Sequence, residues 1–168
     1  MDNANPTNSR PEGSLRGFWS LFATQCQGAF SDNIFRFVVL FMVAAHFAAD
    51  RETRDMLVPI VASLFILPFI LFSMTGGYFA DRFSKRTVTI ATKIAEVVIM
   101  LVALAGFVFD DIYFLLGVIF LMASQSAFFS PSKYGLLPEL LEDKRLSWGN
   151  GIFNAGTFVA IISGTALA

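Results

Sequence analysis

Gly28-Ala-Phe-Ser-Asp-Asn-Ile-Phe-Arg36 lies inside an apolar run, Phe18 to Phe47, that is long enough to cross a bilayer. Asp32 and Arg36 are therefore ionisable groups at mid-membrane depth, where a charge is costly and by default marks a substrate or ion pathway. Four residues apart, they share one helix face and can neutralise each other. At roughly 100° per residue, Gln25, Gly28, Ala29, Asp32, Asn33 and Arg36 fall within an arc of roughly 140°. Phe30, Ile34, Phe37 and Phe41 take the opposite side. One face suits lipid and the other a wet cavity. A structural ion pair between two helices is the plainer reading of Asp32 and Arg36. The extra polar groups on the same face favour a cavity.

The composition agrees with a membrane protein. The chain has 168 residues, 55% of them hydrophobic, and a soluble domain of this size is rarely so apolar. Cys26 is the only cysteine, which excludes a disulfide framework and a cysteine-based metal site. Residues 1–16 are polar and rich in turn formers, and are expected to be a disordered tail. They lack the form of a signal peptide, because the apolar run that follows is too long and is charged. Apolar spans are expected at about 17–47, 56–80, 87–109, 112–130 and from 149 onward. The second contains Pro59 and Pro68, each of which frees a helix carbonyl that neighbours must satisfy. A polar connection is expected from Pro131 to about Trp148. The last span is still apolar at Ala168, which suggests the N-terminal part of a longer protein with no span missing from its start. The expected architecture is all-α: a polytopic membrane bundle of four helices and part of a fifth.

Lysine and arginine in short loops set orientation. Arg10, Arg16, Arg82, Lys85, Arg86, Lys133, Lys144 and Arg145 fall on one side, against Arg51 and Arg54 on the other. The first side, with the N-terminus, is expected to be cytoplasmic. The acidic turns at Asp50 to Asp55 and Asp110-Asp111 then face outward.

Further polar residues lie within the spans. Lys93 and Glu96 share a face of the third with Thr89. Lys93 can either reach a cavity or snorkel to the surface. Gln125 is a candidate for a cavity or an interhelical hydrogen bond. His46, near the outer end of the first span, reads as an interface anchor. Lys133 and Tyr134 read as headgroup anchors at the cytoplasmic end of the fourth span. Gly156 and Gly164 fall on nearly one face and suit close helix packing. The chain shows no Gly-rich phosphate cradle, metal-ligand cluster or nucleophile–base pair, so no cofactor, metal or catalytic role is expected. No nucleic-acid partner is expected either.

Gly77-Tyr78-Phe79-Ala80-Asp81-Arg82-Phe83-Ser84-Lys85-Arg86 joins the second and third spans. It resembles the Gly-x-x-x-Asp-Arg-x-Gly-Arg-Arg signature of the major facilitator superfamily, with Ser84 where the signature has glycine. Physically, Gly77 would permit close helix approach. Asp81 could sit against a helix N-terminus. Arg82, Lys85 and Arg86 could pair with it and with anionic headgroups. The resemblance implies a loop that contacts the other half of the transporter and gates its conformational change. Gly28 to Arg36 is similar to the Gly-Ala-Phe-Asn-Asp-Asn-x-Phe-Lys stretch of the lysophospholipid transporter group. Ser130-Pro-Ser-Lys-Tyr-Gly-Leu-Leu-Pro-Glu-Leu-Leu141, followed by Trp148-Gly-Asn-Gly151, resembles a second segment of that group.

That resemblance implies a carrier moving lysophospholipid across the bacterial inner membrane for re-acylation. It also implies a headgroup site drawn from Gln25, Asp32, Asn33, Arg36, Lys93, Glu96 and Gln125. An ammonium would meet Asp32 or Glu96, and a phosphate Arg36 or Lys93. The Pro-Glu form of the second segment is closer to members fused to acyltransferase and acyl-carrier-protein synthetase domains. An acyltransferase or synthetase in the same chain, or as a partner, is therefore an alternative. So is a facilitator for another small solute.

Overall fold

A computed structural model describes residues 15–168, so the tail expected over 1–16 lies outside the described residues except at Leu15 and Arg16. Five long helices follow one another: α1 (Leu15–His46), α2 (Arg51–Arg82), α3 (Lys85–Val108), α4 (Ile112–Leu140) and α5 (Leu146–Leu167). A single 3-10 turn, Asp143–Arg145, precedes α5, and the described residues include no strand. All five helices are long and apolar enough to cross a membrane. At about 1.5 Å per residue, the 32 residues of α1 and of α2 exceed a hydrocarbon core of about 30 Å.

Short side chains set the helix starts. Asp50 accepts from the Thr53 amide at 3.2 Å, and these Thr53 hydrogen bonds hold its carboxyl below the usual range. Ser84 caps α3 through the Thr87 amide at 3.1 Å, and Asp111 caps α4 through the Phe114 amide at 3.0 Å. The α3–α4 turn is tight because Asp110 takes a left-handed conformation, φ 53°. The Asp111 amide then reaches the Gly106 carbonyl at 3.1 Å and the Asp110 amide the Phe107 carbonyl at 3.3 Å, closing a Schellman motif.

The helices alternate in direction, so the basic turns gather at one end and the acidic turns at the other. His46 and Phe47 meet the Phe109–Tyr113 turn at the acidic end. Lys85 pairs with Glu139 at 2.6 Å at the basic end. Helix α1 lies along α5, and α4 lies along both α2 and α3. Two apolar clusters hold this arrangement. One, around Phe35, Val39, Val43, Leu57, Leu115 and Ile119, serves the acidic end. The other, around Phe18, Leu21, Phe129, Leu137, Leu141 and Phe153, serves the basic end. On α1 the two clusters are separated by the polar stretch that contains Gln25 and Asp32.

The fourth helix departs from the expectation. It does not end near Ser130 but runs through Pro131 and Pro138 to Leu140, so most of the expected polar connection is helical. Pro131 has no amide hydrogen, which leaves the Ala127 carbonyl without its helical donor. Gly76 of α2 packs at that point: a Cβ there would lie 3.1 Å from the Ala127 oxygen and 3.4 Å from Pro131 Cγ. The close approach of α2 to α4 thus falls on Gly76, and not on Gly77, whose missing side chain would meet open space. The charged stretch after Asp50 also differs, being the first turn of α2 rather than a loop. Glu52 there complements the positive helix end.

Gly156 and Gly164 both face α1. A Cβ on Gly164 would stand 2.7 Å from the Phe30 carbonyl oxygen and 3.2 Å from the Ile34 nitrogen, backbone atoms that cannot move aside. Gly164→Ala should therefore lower the melting temperature of the protein in detergent. Gly77→Ala should leave it unchanged or raise it, since alanine is better in a helix by about 1 kcal/mol. A Gly164→Ala variant as stable as the parent would show that α1 and α5 do not pack this closely.

Candidate functional site

The polar face of α1 opens on a cavity of about 360 Å³ bounded by α1, α2, α4 and α5, with Lys93 entering from α3. Of the residues singled out in the sequence, Gln25, Asp32, Asn33, Arg36 and Lys93 line it. Glu96 and Gln125 do not. Phe65 and Phe69 of α2 and Phe129 of α4 form apolar walls.

Asp32 and Arg36 make no direct ion pair among the described residues, contrary to the pairing their spacing suggests. Ser126 of α4 donates to Asp32 Oδ2 at 2.7 Å, and Gln125 donates to the same hydroxyl at 2.9 Å. Arg36 instead donates to Asn33 Oδ1 at 3.0 Å. Its guanidinium lies over the rings of Phe37 at 4.9 Å and Phe65 at 4.6 Å. Asn33 is fixed in turn by donating to the Ala29 carbonyl at 2.7 Å. Neutral dipoles thus hold each charge separately. Asp32 is 8% exposed, and its Oδ1 has no partner among the described residues. An unsatisfied carboxylate oxygen beside a cavity is an acceptor site waiting for a donor.

Gln25 joins three helices. Its amide nitrogen donates to Thr157 of α5 at 3.1 Å, and its oxygen accepts from Lys133 of α4 at 3.1 Å. Lys133 lines the cavity and lies 5.7 Å from the centre of the Phe129 ring. Sequence reading placed it at the surface because Pro131 looked like the end of the span. With the helix continuing, Lys133 belongs to the interior. Ser126 and Thr157 were also missed, since nothing in a single sequence separates a cavity hydroxyl from one that bonds its own helix.

Lys93 and Glu96 form an ion pair at 2.6 Å, and Gln27 of α1 donates to the other Glu96 oxygen at 2.9 Å. Glu96 is 2% exposed and sits behind Lys93, away from the cavity. Gln125 likewise stands behind Ser126 and reaches Asp32 only through that hydroxyl.

At the basic end, the residues of the α2–α3 turn do not pair as a cluster with Asp81. Arg82 donates to the Tyr78 hydroxyl at 2.8 Å, and Lys85 goes to Glu139. Asp81 and Arg86 are exposed, and neither has a bonded partner among the described residues.

Comparison with known proteins agrees with this architecture. A lysophospholipid transporter of Photorhabdus laumondii is 32% identical over 152 residues, which is 90% of this chain and 35% of that protein. The corresponding protein of Cronobacter sakazakii is 30% identical over 163 residues, covering 95% of this chain and 38% of its own. The one from Salmonella typhimurium is 31% identical over 153 residues, 89% of this chain and 35% of its own. The chain therefore spans about a third of the length of these curated relatives. No solved structure matches it. The Major Facilitator Superfamily profile matches residues 21–168, the whole bundle but the start of α1, and the chain belongs to that superfamily of multi-pass membrane transporters.

Proposed function

We propose that this chain forms part of a carrier for lysophospholipid in the bacterial inner membrane, with its N-terminus in the cytoplasm. One observation carries the reading: a membrane-depth cavity holds separately anchored charges of both signs, with one carboxylate oxygen left free. Such a cavity suits a zwitterionic headgroup. The free Asp32 Oδ1 would take an ammonium, while Lys133 and Arg36 would take a phosphate. At about 360 Å³ the cavity is at the small end of the roughly 300–1,000 Å³ typical of ligand sites. It has room for a headgroup, and an acyl chain would have to leave it between helices. The names of the relatives supply the substrate class, which the cavity alone would not. The activity is carriage without chemistry on the lipid, and an acyltransferase, in the same chain or as a partner, would consume the product. The exposed Asp81, Arg82 and Arg86 are proposed as the gating contact with the remainder of the carrier, alongside Lys85.

Uptake of labelled lysophosphatidylethanolamine into proteoliposomes tests the reading. The parent protein should transport it, and Asp32→Ala should reduce the rate by tenfold or more. A headgroup hydrogen bond to a charge is worth about 1.5–3 kcal/mol, enough for such a loss. Because Asp32 and Arg36 are held by different neutral partners, removing both charges should not restore transport. The double variant Asp32→Ala/Arg36→Ala should insert and fold yet stay inactive. Recovery of transport in the double would mean that the two groups only balance each other.

The gating role predicts a different pattern. Asp81→Asn should lower the rate of transport while leaving lysolipid binding and membrane insertion near parental values. Transport by Asp81→Asn at the parental rate would remove the turn from the gating mechanism.

A further inference from the structure

Lys93 is the one cavity-lining cation that pairs directly with a carboxylate among the described residues. It belongs to α3, which packs on α4, yet its ammonium reaches past α4 to α1. The place where it crosses α1 is Gly28. A Cβ built on Gly28 would collide with Lys93 Nζ, and would lie 3.6 Å from Glu96 Oε2 and 3.8 Å from Lys93 Cε. The ammonium also lies 4.8 Å from the centre of the Phe129 ring, so it is confined between a bare stretch of α1 and an aromatic wall of the cavity. Lys93 lines both the central cavity and a groove between α1 and α3 that also holds Gln27, whereas Glu96 lines only that groove.

We propose that Gly28, Lys93 and Glu96 form a counter-ion exchange site. Gly28 leaves the gap through which the Lys93 ammonium enters the cavity, Glu96 holds that ammonium when the cavity is empty, and a phosphate-bearing headgroup displaces Glu96 on binding. Glu96 keeps the donor from Gln27 after the exchange, so the buried carboxylate is never stripped of every partner. The exchange swaps one anion for another beside the same ammonium, while Glu96 passes from a charged partner to a neutral one. Glu96 is then a resting partner of Lys93 and not a ligand of the headgroup. Gly28 becomes a specificity position, selecting phosphate by what its missing side chain admits.

The proposal rests on the lysophospholipid reading, and its test separates the two. The intact protein in detergent is titrated with lysophosphatidylethanolamine and with the monoacylglycerol of the same chain, which lacks phosphate. Gly28→Ala and Lys93→Met should each weaken binding of the phosphate-bearing lipid by about tenfold or more, the worth of one charged hydrogen bond. Monoacylglycerol binding should be unaffected. The new methyl of Gly28→Ala meets the flexible end of a lysine and not backbone, so it displaces Lys93 and leaves the helices in place. Glu96→Gln, which releases Lys93 from its resting partner, should bind the phosphate-bearing lipid more tightly than the parent. Should Glu96→Gln fail to fold, the charge-balanced Lys93→Met/Glu96→Gln variant replaces it and should match Lys93→Met. Parental affinity in Gly28→Ala and in the double variant would overturn the exchange site. So would a folded Glu96→Gln that binds as weakly as Lys93→Met. A parent protein that binds no lysophospholipid would instead overturn the function proposed above.

Discussion

A charge inside the hydrocarbon has no water to turn to, and this bundle is arranged around answering that need. Asp32 and Arg36 on one helix require partners that lipid cannot provide. Helix α4 supplies Ser126 to Asp32, and α1 supplies Asn33 to Arg36. Gln25 reaches α4 and α5 at once. The positions of α4 and α5 beside α1 are therefore tied to the polar face of α1 as much as to the apolar clusters at either end. Dispersion packing alone does not distinguish these neighbours, because lipid tails offer apolar contacts of the same kind. The hydrogen bonds across the cavity, and the glycines that let backbones close on one another, give the bundle its particular arrangement.

The fold was legible because its signals are long and repeated: apolar runs of span length alternate with short charged turns. The misreading at α4 has a definite cause. Pro131 breaks one hydrogen bond, and a local rule ends the helix there. The helix instead continues, and Gly76 of the neighbouring helix, 55 positions earlier in the sequence, packs beside the freed Ala127 carbonyl. The same error hid Lys133, whose depth depends on whether the helix continues.

The polar face of α1 was legible as a face, because helical periodicity assigns it without knowledge of any neighbour. What each group bonds to was not. Asp32 and Arg36 share that face, and spacing alone pairs them. The structure interposes Ser126 on one and Asn33 on the other. A sequence also offers no means to tell which side of Lys93 would be wet. Glu96 was read as a headgroup ligand and Gln125 as a cavity or interhelical hydrogen bonder, and both stand behind a neighbour that lines the cavity in their place.

Separate anchoring has a consequence for binding. A direct Asp32–Arg36 pair would satisfy both charges, and a headgroup would have to break it before gaining anything. Breaking a desolvated pair costs several kcal/mol, comparable to what the new contacts return. Neutral partners hold the same charges in place without cancelling them. A hydroxyl or an amide occupies one oxygen or one nitrogen and leaves the rest of the group free. Lys93 follows the other strategy, because its charge is cancelled at rest by Glu96. Exchanging one carboxylate for one phosphate leaves the number of charges facing the ammonium unchanged, so the new pair offsets the cost on the side of Lys93, and the Gln27 amide offsets part of it on the side of Glu96. The cavity thus combines charges kept open by dipoles with one kept closed by a counter-ion. The closed one adds a selection of its own to that of Arg36 and Lys133, since only a ligand carrying a negative charge can take the place of Glu96.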